Sequence, residues 1–209
     1  MCSFCIPEWK ELIALNKRTI LIKKGKQIFI EGEKVNGIFF LYSGFVKVHK
    51  QWGDQKDLIL RFARQGDILG HRGLGGTNLY PISATAMEDS KVCFITNEFL
   101  ETTLKTNPDF TYQLMHFYAS ELQKAEHRMR NLALMEVKGR IAEALLDLAR
   151  LAIMPDNTIV INRQDIASYA GTTYETVFKF FKELEKKGII TTSGKTIKIN
   201  QPDELGSLI

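Results

Sequence analysis

Apolar positions along the chain fall into three successive rhythms. From Thr19 to about Phe99, short runs rich in β-branched and aromatic residues (26–30, 38–41, 45–49, 58–62 and 91–95) alternate with turns at Gly32, Gly37, Gly44, Gly53 and Gly66. Runs of this length, closed by residues that tolerate tight reversal, predict an antiparallel roll or barrel. After Asn107-Pro108 the spacing changes. Thr111, Met115, Tyr118, Leu122, Ala125, Met129 and Leu132 recur at alternating steps of four and three, and Pro108 suits a helix start. This a/d spacing predicts one long helix over 108–138 whose narrow apolar seam needs a partner, and a second copy in a parallel homodimer supplies it. Gly139 then reads as a hinge, 140–152 as a helix with Ile141, Leu145, Leu148 and Ala149 inward, 154–157 as a surface loop and 158–162 as a short strand.

The third rhythm predicts two short helices about a glycine turn. Asn162 can cap the first, where Ile166, Tyr169 and Ala170 form an inward face, and Gly171 supplies the reversal. Thr172 and Glu175 have capping-box spacing for the second, whose inner stripe is Val177, Phe180, Phe181 and Leu184, closed by Lys186, Lys187 and Gly188. A hairpin follows: 189–192, a turn at Ser193-Gly194, and 195–199. Together these form a winged helix-turn-helix. Its expected DNA-binding residues are Arg163, Thr172, Thr173, Tyr174, Glu175, Phe178, Lys179 and Lys182, with Lys195 and Lys198 of the wing on phosphates. Glu175 can accept from cytosine N4, while the lysines suit guanine or phosphate.

Composition narrows the alternatives. The 209 residues, 44% hydrophobic and 25% charged, suffice for one large or two modest globular domains. The net charge of +4 is mild, but 163–198 carries seven Lys and Arg against four Asp and Glu, an excess placed where a nucleic acid would lie. No run approaches the roughly 18 to 20 apolar residues of a membrane span, and the first residues lack a leader's basic flank and apolar stretch, so a cytoplasmic protein is expected. Cys2, Cys5 and Cys93 are odd in number and too few for a disulfide scaffold, which leaves reduced thiols or a metal site.

The order of roll, long helix and winged helix resembles the cyclic-AMP receptor protein and fumarate-nitrate reductase regulator (CRP/FNR) family across nearly the whole chain. The resemblance rests on Gly25-Lys-Gln-Ile-Phe-Ile-Glu-Gly-Glu33, Phe39-Phe-Leu-Tyr-Ser-Gly-Phe-Val-Lys-Val48, Gln65-Gly-Asp-Ile-Leu-Gly70, Arg163-Gln-Asp-Ile-Ala and Gly171-Thr-Thr-Tyr-Glu-Thr-Val177. It implies an α+β fold in three parts. Residues 1–107 form a cyclic-nucleotide-binding-like antiparallel β-roll with an N-terminal segment, 108–138 the dimerisation helix, and 139–209 the DNA-binding winged helix. It also implies a dimeric transcription regulator, activator or repressor alike, that meets double-stranded DNA and RNA polymerase. The family's recognition helix usually carries a small residue and an Arg where this chain has Phe178 and Lys179. The bidentate fork for guanine is therefore lost and a ring able to meet a thymine methyl is gained.

The same resemblance bears on what the roll senses. Cyclic-nucleotide binders in the family hold the ribose with a carboxylate after Gly and the phosphate with an Arg-Ser or Arg-Thr pair. Here Gly70-His71-Arg72 and, further on, about Tyr80-Pro81 stand there, so cyclic AMP is not the expected effector. A pocket at Gly70, His71, Arg72, Tyr80 and Ser83 would take a different anion, the alternative being that His71 and Arg72 are simply solvated loop residues. Oxygen-sensing relatives ligate an iron-sulfur cluster with N-terminal cysteines and one in the roll. Cys2, Cys5 and Cys93 match three such places, against the four thiolates a cluster expects, so a cluster or a thiol redox sensor is an alternative input. Two further readings differ in class: a ligand-binding adaptor whose winged helix meets protein, and a roll-type metal enzyme. The second is disfavoured because His49, His71, His116 and His127 contain no His-x-His pair.

Overall fold

The computed structural model describes residues 7–53, 56–151 and 155–209. The chain divides into two compact units, Met1–Asp54 with Leu60–Lys124, and Gln55–Ile59 with Ala125–Ile209. Among the described residues no helix is long and apolar enough to cross a membrane.

The first unit opens with α1 (Pro7–Asn16) and continues through β1 (Arg18–Ile22), β2 (Gln27–Phe29), β3 (Gly37–Ser43), β4 (Val46–Trp52), β5 (Lys56–Ala63), β6 (Ile68–Leu69), β7 (Ser83–Ala86) and β8 (Ser90–Thr96). Helix α2 (Asn97–Thr106) follows, then α3 (Pro108–Leu134), which runs on into the second unit. The strands form two four-stranded sheets, ordered β1-β8-β3-β6 and β2-β7-β4-β5. Pairing is antiparallel in β1–β8, β3–β8, β3–β6, β2–β7 and β4–β7. The core between them is made by Phe29, Phe39, Leu41, Val46, Val48 and Val92 with Tyr80, whose ring stacks on Phe29 at 4.3 Å. Each such side chain contributes about 1.5–3 kcal/mol by leaving water.

Elements absent from the sequence reading have weak local signals. The first four residues of β1 are exposed, β6 has two residues, and β7 is Ser-Ala-Thr-Ala, whose small side chains fit beneath Val46 and Val48 of β4 without marking themselves as a strand. The thiol of Cys93 lies on β8, half-buried and opposite Thr19 and Phe40.

The second unit contains α4 (Val137–Leu151), β9 (Thr158–Val160), α5 (Arg163–Ala170), α6 (Tyr174–Lys186), β10 (Ile190–Ser193), β11 (Thr196–Ile199) and α7 (Pro202–Gly206). Its core gathers Ile141, Leu145 and Leu148 of α4, Ile166 of α5, and Val177, Phe180, Phe181 and Leu184 of α6. A three-stranded antiparallel sheet, β10-β11-β9, completes it through Ile190, Ile197 and Ile199.

Several local expectations are corrected. The long helix ends at Leu134 rather than 138, and the break falls at Met135 and Glu136, ahead of Gly139. Gly139 is buried inside α4, where a Cβ would lie 3.0 Å from the Leu208 carbonyl oxygen and 3.1 Å from Met135 Cγ; its smallness serves close packing, not a hinge. The cap of α6 is Thr173, whose hydroxyl accepts from Thr176 N at 3.3 Å, so the capping position is one residue later than the Thr172–Glu175 spacing implies. The hairpin turn is Gly194-Lys195, since Ser193 pairs with Thr196. Of the loop expected at 154–157, Met154 lies outside the described residues and Pro155–Asn157 form a single 3-10 turn.

Candidate nucleic-acid interface and the roll interior

Local sequence builds the helix pair. Asn162 Oδ1 accepts from Asp165 N at 2.6 Å to start α5, and Gly171, at φ 63°, stops it in the left-handed region that residues with a Cβ avoid. The inner stripe of α6 is buried throughout, which leaves its other face outside. Tyr174 and Phe178 are 41% and 42% exposed, one turn apart, with rings stacked at 6.3 Å and 18°. Glu175 and Lys179 form the adjacent stripe, both exposed. The Glu175 backbone N–H and then the Thr173 hydroxyl hold the Glu175 carboxyl below the usual carboxylate range, so it is ionised and can accept hydrogen bonds.

The other expected interface residues divide by exposure. Lys179, Lys182 and Lys195 are exposed, Lys195 at the hairpin tip, and Lys198 is exposed on β11. Lys182 pairs with Glu185 at 3.1 Å and holds its ammonium 5.7 Å from the Phe178 ring centre. Thr172 is half-buried, its N–H bound to the Ala167 carbonyl at 3.0 Å. Arg163 is also half-buried: it donates to Thr192 Oγ1 at 3.0 Å and lies over Phe181, while Thr192 donates to Glu185. That chain fastens the hairpin to α5 and α6, so Arg163 positions the wing.

Two guanidiniums hold the end of α5. Arg128 donates to the Tyr169 carbonyl and stacks on the Tyr169 ring at 4.0 Å. Arg140 reaches the Ala170 carbonyl at 2.9 Å, the Gly171 carbonyl at 3.4 Å and, at the end of α3, the Met135 carbonyl at 2.7 Å. Cations at helix C-termini meet both the free carbonyls and the negative end of the helix dipole.

On α3 the chain's own packing uses one stripe and leaves another. Phe110, Leu114, Glu121 and Asn131 are buried, whereas Met115, Tyr118, Leu122 and Met129 of the expected seam are exposed. Ala125 and Leu132 are half-buried, Leu132 because it leans over Gly171.

Inside the roll the expected effector residues are placed differently from an open pocket. Gly70 precedes the 3-10 turn His71–Leu74 and packs against the Tyr80 ring. Tyr80 Oη donates to the Gly37 carbonyl at 2.8 Å, and Ser83 Oγ accepts from Glu31 N at 2.9 Å. His71 is only 3% exposed, not a solvated loop group, and among the described residues neither ring nitrogen has a hydrogen-bond partner. Its ring meets Phe117 and Tyr118 edge-on, and Tyr118 Oη donates to the His71 carbonyl at 2.7 Å. Burial first, then Arg61 and Arg72, push its pKa down to about 4, although Glu121 and the nearby Ile68 carbonyl favour the cation.

Arg72 turns to Glu121 at 3.7 Å, and Glu121 is also met by Arg61 at 3.5 Å and Lys124 at 3.1 Å. Burial alone would raise the Glu121 pKa, but Arg61, Lys124 and His71 outweigh it and hold the carboxylate ionised. Arg61 further bonds the Ile68 carbonyl at 2.6 Å and faces Asp67 at 3.6 Å. Arg61 and Glu121 escaped the sequence reading. The signals available were an arginine inside the apolar run Leu58-Ile-Leu-Arg-Phe62, and an acid on the inward stripe of α3 with Phe110 and Leu114.

The two guanidiniums of this cluster, Arg61 and Arg72, thus already face a buried carboxylate. For a metal cluster, Cys2 and Cys5 lie outside the described residues, and among those described no three His, Cys, Asp or Glu gather as ligands.

Comparison with known proteins places both units. A family model described as a cyclic nucleotide-binding domain matches residues 19–107, and one described as a Crp-like helix-turn-helix domain matches residues 139–208. The chain is 34% identical over 173 residues to the cAMP-activated global transcriptional regulator CRP of Pasteurella multocida, covering 80% of this chain and 83% of that one. It is 28% identical to the transcriptional activator protein anr of Pseudomonas aeruginosa, covering 99% and 86%. The structure of FixK2 from Bradyrhizobium japonicum superposes with a TM-score of 0.82 at 26% identity, covering 92% of this chain and 96% of that one.

Proposed function

The chain belongs to the CRP/FNR family of DNA-binding transcription regulators, and from that premise we propose that it works as a homodimer whose roll-borne signal controls sequence-specific binding. The observation that carries the reading is the outward face of α6: Tyr174, Glu175, Phe178 and Lys179 stand exposed on a helix whose other side is wholly buried, beside a wing that carries Lys195. Dimerisation is supported by the exposed Met115, Leu122 and Met129 on α3, with Tyr118 partly covered by His71, an apolar stripe that the described residues leave largely open. A parallel pair along that stripe would set two recognition helices for half-sites one helical turn apart. The protein would then act in the cytoplasm, on double-stranded DNA and with RNA polymerase, as a regulator rather than an enzyme.

The test is a salt-dependent footprint on operators selected from random sequence. Tyr174→Ala, Glu175→Ala and Lys179→Ala should each weaken or relax specific binding, and unchanged binding by all three would remove α6 as the reading surface.

For the input we propose an effector or redox signal other than cyclic AMP, supported by the engagement of Arg72 with Glu121. The iron-sulfur form of that reading rests on Cys2, Cys5 and Cys93 of the sequence. Anaerobic purification with iron and sulfide analysis checks it, and colourless, iron-free protein with DNA binding unchanged in Cys5→Ser would end it.

A further inference from the structure

We propose that Phe178, backed by Tyr174, is a specificity-determining residue that selects thymine through its 5-methyl group. The proposal rests on the reading of α6 as the DNA-contacting helix and adds what that helix reads. Both rings are more than two-fifths exposed on a face framed by the ionised Glu175 and by Lys179 and Lys182. Phe178 stands apart from the buried stripe through which α6 serves the core, Val177, Phe180, Phe181 and Leu184. Its contacts are instead with its own stripe: the Tyr174 ring one turn before and the Lys182 ammonium one turn after.

The groove then decides what such a ring can recognise. Phenylalanine has no donor or acceptor, and among the major-groove base edges only thymine presents an apolar group, the C5-methyl. Cytosine, guanine and adenine offer polar edges that a phenyl ring would desolvate without replacing a hydrogen bond. The neighbouring lysines make the same surface attractive to the phosphate backbone, so the occupant indicated is duplex DNA with thymine under the 174/178 stripe. Glu175 and Lys179, on the adjacent stripe, are left to read polar edges beside it.

Removing only the methyl tests this. Operators are selected from random sequence with the full-length protein, and each enriched thymine is replaced in turn by deoxyuridine. At one or two positions per half-site the affinity should drop about fourfold, the ~0.8 kcal/mol of one buried carbon converted at 1.4 kcal/mol per decade. Phe178→Ala should bring the thymine-to-uracil ratio at those positions to one, Phe178→Leu should retain part of it, and Lys179→Ala should weaken binding with the ratio intact. Specific binding in which every uracil substitution stays within twofold, or a ratio that Phe178→Ala leaves unchanged, would overturn the proposal while sparing the DNA-reading helix. Failure of the wild-type protein to bind any selected sequence would overturn both.

Discussion

Glu121 and Glu175 are both carboxylates on helices and beside lysines or arginines, yet they are used in opposite ways. Glu121 is 8% exposed and meets three cations, so its charge is spent inside the first unit. Glu175 is exposed, and its nearest supports are its own backbone N–H and the Thr173 cap. The same contrast separates His71 and Arg72, which the fold has taken up, from Tyr174 and Lys179, which it leaves outside. A charged side chain announces a binding function only when its partners are missing from its own chain.

Breaking this contrast should have its largest effect at Glu121. Glu121→Ala removes one of the two acids that face the buried Arg61, leaving Asp67 at 3.6 Å, which should cost about 1–3 kcal/mol in urea denaturation, whereas Glu175→Ala should leave the stability unchanged. Equal stabilities for the two variants would erase the distinction.

The next effect is one of pH. Because the folded pKa of His71 lies near 4, below the unfolded value, the unfolded chain takes up this proton first as pH falls. The stability contributed by the neutral ring is therefore complete above about pH 6.5 and is lost between there and about pH 4, by roughly 3 kcal/mol in all. His71→Leu should flatten that part of the stability profile relative to wild type, and parallel profiles would show that the imidazole is not buried neutral.

On the exposed side, Glu175→Ala should leave the fold intact and relax discrimination at one base pair by roughly tenfold to a hundredfold, read from competition among single-base operator variants. A smaller effect separates two neighbouring threonines: Thr173→Ala should lower stability by about 1 kcal/mol through the lost cap, and Thr172→Ala by much less. Last, Lys195→Ala should weaken all sequences alike and reduce the salt-dependence slope by about one.

Where sequence and structure agree, the cause is local. Asn162, Gly171 and the spacing of Val177, Phe180, Phe181 and Leu184 act within a few residues of themselves, so the helix pair is legible without tertiary knowledge. The disagreements are also instructive. Thr172 and Thr173 differ by one position, and periodicity does not choose between adjacent hydroxyls. Gly139 looked like a hinge because glycine breaks helices, whereas it marks where α4 comes close to Leu208. The true break at Met135 carries no glycine or proline; its carbonyl is taken by Arg140, five residues on. The roll interior was least legible, because the pairing of Arg61 and Arg72 with Glu121 joins positions some 50 or 60 residues apart.

The row of carbonyls at the end of α5 carries one more consequence. Arg128 of α3 and Arg140 of α4 grip Tyr169, Ala170 and Gly171 by backbone oxygens, which every residue has whatever its side chain, and Arg128 adds the face of the Tyr169 ring. Mutations that retune the reading face therefore cannot dissolve this attachment. Tyr174, Phe178 and Lys179 can be exchanged, and the reading face with them, while the backbone grip on the end of α5 stays available.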